Sequence, residues 1–162
     1  MIRVENVSFK YKNSENKILD NLNFSVMDGE IIAIVGQNGS GKSTIGKLIA
    51  GIIKLKEGNI VIDDLNIRKN KKQKIIQDKV GIVFQNPENQ IIFNNIYDEI
   101  SFSLKGLEKT ELEDRIQESL EQVGMLKYKN EDLYSLSLGQ KQRIMIAEVL
   151  AKRPKYIILD DP

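Results

Sequence analysis

The sequence has no cysteine and no histidine. Without cysteine there is no disulfide framework, no thiol nucleophile and no thiolate metal site. Without histidine the commonest general base is missing, and the two absences together exclude nearly every zinc site. No run of 18 apolar residues occurs, so no segment reads as a membrane-spanning helix. The first twelve residues alternate charges and lack the apolar stretch of a secretory leader. An excess of one charge sign is missing too: 24 Lys and Arg stand against 23 Asp and Glu, a net charge of +1. A surface built to neutralise duplex phosphates is normally far more basic, so nucleic acid is not an expected partner. What remains is a globular composition, 41% hydrophobic and 29% charged over 162 residues. A chain of that size buries roughly 70% of its unfolded surface and needs no staples. A soluble, cytoplasmic protein is the expectation.

The order of periodic segments predicts an α/β fold. Ile2, Val4, Val7 and Phe9 suggest a strand, and residues 23–26 a second one closed by the turn at Asp28 and Gly29. A polar loop over 12–17 lies between them. Ile31, Ile32, Ala33, Ile34 and Val35 form a continuous apolar run, the pattern of a strand covered on both faces. Ile45, Leu48, Ile49 and Ile52 follow at helical spacing. Residues 59–63 read as a strand after a turn at Gly58, and 80–84 as another. Thr110 and Glu113 match a capping box, with Leu112, Ile116, Leu120 and Val123 on one face and Gly124 at the end. Ser137 and Gln140 match a second capping box, opening a helix through Ile144, Ala147, Leu150 and Ala151 that Pro154 stops. Residues 156–159 form a last apolar strand before Asp160 and Asp161. The lysine-rich stretch 69–74 reads as a solvated loop or helix start rather than a phosphate or lipid patch.

Gly36-Gln37-Asn38-Gly39-Ser40-Gly41-Lys42-Ser43-Thr44 fits G-x-x-x-x-G-K-[ST] in its required context, with an apolar strand before it and an amphipathic helix after it. Glycines let backbone N–H groups wrap a triphosphate, and the positive end of the helix dipole faces the same anion. Gly36, Asn38, Gly39, Ser40 and Gly41 would line the cradle. Lys42 would reach the β- and γ-phosphates, Ser43 would ligate Mg²⁺, and Thr44 would meet the α-phosphate region. The apolar strand ending in Asp160 supplies the second half of such a site, a carboxylate that holds Mg²⁺ through water. Asp161 beside it would polarise the attacking water.

Leu136-Ser137-Leu138-Gly139-Gln140, followed by Lys141-Gln142-Arg143, resembles the signature of ABC ATPases, L-S-G-G-Q-x-Q-R. The order of phosphate loop, Gln85, signature and acidic strand is also that family's order, and the resemblance spans the whole chain. It implies that Tyr11 stacks on adenine and that Gln85 touches Mg²⁺ and the water while sensing a membrane partner. It implies that Ser137, Gly139 and Gln140 meet the γ-phosphate bound by a second subunit, so that two ATP molecules lie between two such domains. Residues 81–90 look like the corresponding loop of energy-coupling-factor ATPases, which drive uptake of vitamins or of cobalt and nickel ions. In that group the next helix, here about 97–104, docks the membrane subunit.

By the same resemblance the fold is a P-loop core with a parallel sheet, an antiparallel β subdomain and a helical signature subdomain. Residues 1–30 and 58–67 would form the β subdomain, 31–57, 79–86 and 154–162 the core, and 87–153 the helical part. Three features depart from the pattern. Leu138 replaces a signature glycine and should crowd the phosphate edge. Asp161 replaces a catalytic glutamate and is one methylene shorter, which predicts slow hydrolysis. The chain also stops before the segment that bears the switch histidine, which should leave residues 31–35 as an exposed apolar edge. Together these imply an ATP- and Mg²⁺-dependent ATPase at the cytoplasmic face of the membrane. Its partners would be a second ATPase subunit and an integral-membrane subunit. Two alternatives stay open: a soluble relative acting on nucleic acid or ribosomes, and a nucleotide-binding remnant with little hydrolysis.

Overall fold

Buried positions along the first strand, β1 (Ile2–Phe9), change parity once. Ile2 and Val4 face inward, then Val7 and Phe9 do. Asn6 absorbs the extra residue with a left-handed φ of 50°. Pairing with β2 (Leu19–Val26) shifts register between Val4 and Val7, and pairing with β3 (Glu57–Ile62) shifts between Glu5 and Ser8. This is a β-bulge, and it explains why a period-2 pattern breaks yet stays one strand. Gly58 belongs to the same device: it lies inside β3 at φ 84°, and a Cβ there would stand 2.4 Å from the Asn6 carbonyl oxygen. The turn predicted at Gly58 is therefore a glycine within the strand, required by close backbone approach.

The computed structural model describes residues 1–68 and 73–161; residues 69–72 of the lysine-rich stretch and Pro162 lie outside the described residues. The chain divides into two units, residues 1–80 and 81–162. In the first, an antiparallel sheet runs β2-β1-β3-β4, where β4 is Leu65–Asn66. Helices α1 (Lys42–Ile49) and α2 (Gln73–Lys79) belong to this unit. Its buried side chains include Val4, Val7, Ile45, Leu48, Ile60 and Ile62, each worth about 1.5–3 kcal/mol of apolar burial.

Residues 31–37 correct the sequence reading. They are irregular rather than a covered strand, with Ile31 98% and Val35 88% exposed. An apolar run states a demand for burial, but a strand also needs a neighbour to take its backbone hydrogen bonds. The unit's sheet does not include them.

In the second unit β5 (Val80–Val83), which begins at the boundary, pairs with β6 (Tyr156–Leu159). The Asp160 amide donates to the Val83 carbonyl at 2.9 Å, so the two carboxyl ends lie together and the pair is parallel. Between them run α3 (Ile96–Ser103), α4 (Lys109–Gln122) and α5 (Leu138–Ala151). Helix α5 packs on α3 and α4 over a core of Ile96, Ile100, Ile116, Leu120, Ile144 and Met145. Asn95 caps α3, its side chain accepting from the Tyr97 and Asp98 amides. The capping box predicted at Thr110 is not formed. Glu108 holds the extended N-cap conformation, without a side-chain cap bond, and Thr110 already lies in the first turn. No helix among the described residues is long and apolar enough to cross a membrane.

Candidate functional site

Residues 37–41 pass through consecutive turns into α1. Two glycines make this path possible, Gly39 at φ 80° and Gly41 at φ 98°. Gly41 is also the N-cap of α1, and a Cβ there would stand 2.7 Å from Leu19 Cδ2 and 3.0 Å from the Ile18 carbonyl oxygen. At Gly36 a Cβ would stand 2.8 Å from Ser40 Oγ. The loop is thus cut to bare backbone where it bends most tightly. Asn38 sits exposed at its tip.

Lys42 opens the helix, and its Nζ donates to the carbonyl oxygens of Gly36 and Gln37 at 3.0 Å each. No acidic residue occupies the first turn of α1. Positive side chain, helix dipole and N-terminal amides therefore act on one place, which suits an anion. Ser43 is exposed while Thr44 is buried. The Tyr11 hydroxyl lies 3.1 Å from Thr44 Oγ1, and its ring meets Phe9 edge-on at 5.0 Å. Tyr11 also lines a cleft of about 270 Å³ with Lys10, Lys12, Lys17 and Lys56. The unit brings Tyr11 and the whole glycine-rich loop into one neighbourhood through this bond.

The second unit holds the other predicted residues. Gln85 is exposed two residues past β5, and Asp160 directly follows β6, so the Val83–Asp160 bond places both chain exits side by side. Carboxyl ends of parallel strands are where α/β proteins gather ligands. Asp161 is exposed with φ 47°. Ser137 caps α5: its Oγ accepts from the Gln140 amide at 3.4 Å, and Gln140 Oε1 accepts from the Ser137 amide at 2.9 Å. The predicted capping box is present in full. Gly139 has no atom within 4 Å of a Cβ position, so nothing local requires its bareness. Leu138 beside it is 63% exposed.

Several groups here carry no role in the sequence reading. Gln142 Nε2 donates to the Phe84 carbonyl at 3.1 Å, and Lys141 Nζ pairs with Glu88 Oε1 at 3.0 Å. Both residues lie within the quoted signature run, but their partners are more than 50 positions away and leave no local pattern. Glu99 is buried and accepts from the Ile92 and Phe93 amides at 2.9 and 2.6 Å, fixing the loop before α3. Burial pushes the Glu148 carboxyl above the usual range; Lys152 opposes the rise and the Glu99 charge adds to it.

Ser43, Gln85 and Asp160 offer a hydroxyl, an amide and a carboxylate. Each taken by itself is a hard oxygen donor, Ser43 in the first unit and Gln85 and Asp160 in the second, of the kind that Mg²⁺ accepts. The glycine-rich loop fits a phosphate chain by its bare backbone and by Lys42.

Known proteins resemble this chain over nearly its whole length. The ABC transporter family model matches residues 19–162. Energy-coupling factor transporter ATP-binding protein EcfA1 of Fusobacterium nucleatum is 45% identical over 163 residues, covering 99% of this chain and 61% of that protein. The chain thus spans about three fifths of that relative's length. Among solved structures, cbiO1 of Clostridium perfringens, described as part of the ABC transporter complex cbiONQ, superposes with a TM-score of 0.85. It is 34% identical, with 98% of this chain and 64% of that one covered. The dimeric ATP-binding cassette MJ0796, in a post-hydrolysis state bound to ADP and Pi, gives a TM-score of 0.87 at 30% identity. That match covers 98% of this chain and 73% of the other.

Proposed function

The chain belongs to the ABC transporter family, and from that premise we propose that it is the ATP-binding part of an energy-coupling-factor-type importer. It couples ATP hydrolysis to uptake of a small solute, a vitamin or a cobalt or nickel ion. The observation that carries this is the Gly41-capped start of α1, where Lys42 lies over a loop of bare backbone. The match to EcfA1 supports the importer class.

In this reading the loop amides and Lys42 hold the β- and γ-phosphates and offset the charge that develops in transfer. Tyr11 presents its ring to adenine. Ser43, Gln85 and Asp160 would hold Mg²⁺, which supplies further charge neutralisation when bound. Asp161 orients the attacking water and takes up its proton. Ser137, Gly139 and Gln140 serve the γ-phosphate held by a second ATPase subunit, and the bareness of Gly139 leaves room for that approach. An integral-membrane subunit is the other partner, which puts the protein at the cytoplasmic face of the membrane. The three-part division into β subdomain, P-loop core and helical subdomain belongs to the same proposal.

A second reading has support from two positions. Asp161 is one methylene shorter than a glutamate, and the exposed Leu138 opens α5 directly after Ser137. These favour a subunit that binds ATP and turns over slowly. One experiment addresses both readings: titrate the complete protein, assembled with its partners, with a fluorescent ATP analogue and follow phosphate release. Binding that Lys42→Ala removes supports the nucleotide site. No binding by the unmodified protein overturns it, and the release rate divides a driving subunit from a slow one.

A further inference from the structure

We propose that Gln142 and Lys141 are positioning residues that lock the segment carrying Gln85 onto the first turns of the helix carrying Ser137. The contacts bracket Gln85. On its upstream side Gln142 Nε2 donates to the Phe84 carbonyl at 3.1 Å. On its downstream side Glu88 Oε1 accepts from Lys141 Nζ at 3.0 Å. Phe84 is held from its amide as well, which donates to Gln90 Oε1 at 3.0 Å. Asn86 braces the turn between, accepting from the Glu88 amide at 2.9 Å. Gln85 itself stays exposed, so its flanks are pinned and its side chain is presented.

Two details mark these contacts as more than surface decoration. The Lys141 side chain is only 9% exposed, so its ammonium is largely shielded from water and salt. Gln142 Oε1 is buried without a hydrogen-bond partner among the described residues, while its Nε2 is satisfied by Phe84. The amide therefore places its donor on Phe84 at the cost of an unsatisfied oxygen. Ser137, Gln140, Lys141 and Gln142 share one capped helix end, which is stiff. Gln85 and Ser137 therefore move together.

The consequence rests on the proposed ATP cycle. If Gln85 serves the nucleotide of its own loop and Ser137 that of the second subunit, the two struts join two reaction sites mechanically. In the complete ATPase assembled with its partners, the test variant is Gln142→Leu combined with Glu88→Ala. We expect the ATP-analogue Kd and the melting midpoint to hold within twofold and a few degrees, while kcat falls on the order of 10- to 100-fold, the scale of a 1 Å misplacement. An unchanged kcat overturns the proposal, and so does a fall matched by an equal loss of affinity or of thermal midpoint. If the double variant does not fold, Glu88→Ala alone, at a carboxylate 57% exposed, reads the same split. Failure of the unmodified assembly to bind ATP would instead refute the functional reading beneath it.

Discussion

The phenol oxygen of Tyr11 stands 3.1 Å from Thr44 Oγ1, tying the chain after β1 to the first turn of α1. The contact fixes an aromatic plane relative to the glycine-rich loop before any ligand arrives. Removing the ring and removing only the hydroxyl should therefore separate. Tyr11→Phe keeps the plane and should change ATP-analogue affinity by no more than about threefold, the scale of one modest hydrogen bond. Tyr11→Ala should weaken it roughly 5- to 100-fold, since stacking on a base is worth about 1–3 kcal/mol. Fluorescence titration decides it, and equal losses would refute the stacking role.

Gly39 and Gly41 both take left-handed φ, yet their surroundings differ. A Cβ at Gly39 meets nothing within 4 Å, whereas at Gly41 it meets Leu19 and the Ile18 carbonyl. Gly39→Ala should cost only the conformational penalty, about 1–2 kcal/mol. Gly41→Ala adds overpacking of about 1–3 kcal/mol. Urea unfolding of the two variants should rank them in that order, and a reversal would contradict the packing described for the loop.

Asp161 follows the exit of β6 at φ 47°, exposed. If it holds the attacking water, the missing methylene slows the reaction, and Asp161→Glu should raise steady-state phosphate release by up to about 100-fold. Asp161→Asn should lower it. No gain from the longer acid would show that this carboxylate does not place the water.

Glu148 lies on α5 with its side chain 15% exposed, facing Glu99 and pairing with Lys152 at 3.5 Å. Burial raises its pKa above 4.5, so the folded protein binds the proton more tightly than the unfolded chain does. Stability from this group consequently falls as pH rises from the unfolded value through the folded one, and is level below that window. Glu148→Gln removes the buried charge together with its ion pair. It should stabilise the protein near pH 7, and the gain should shrink as pH falls through the raised folded pKa toward 4.5 and be level below it. Thermal melts of both proteins across pH 4–8 test the sign.

The difference between what the sequence discloses and what it hides is physical. Ser137 and Gln140 were readable because a capping box is closed within four residues, and the apolar face of α4 because its period is local. The parity change between Val4 and Val7 also shows in the sequence, although the glycine across from it, Gly58, reads locally as a turn. Thr110 misleads because a capping-box motif does not itself fix where the helix begins, and Glu108, two residues earlier, takes the extended N-cap conformation. Residues 31–35 mislead in another way, since hydrophobicity reports what a strand needs and not which neighbour supplies it. The glycine-rich loop was legible as a motif. The bond from Gln142 to Phe84, 58 residues apart, was not, because nothing in either neighbourhood names the other.

Lys141 has a use on the bench that follows from its confinement. Amine-acylating reagents react with the neutral form of a lysine amine that solvent can reach, and this one is 9% exposed and engaged with Glu88. Its acylation should lag far behind that of the surface lysines and advance each time the Gln85 segment parts from α5. Followed by mass spectrometry with and without nucleotide, that lag becomes a clock for the parting of the Gln85 segment from α5.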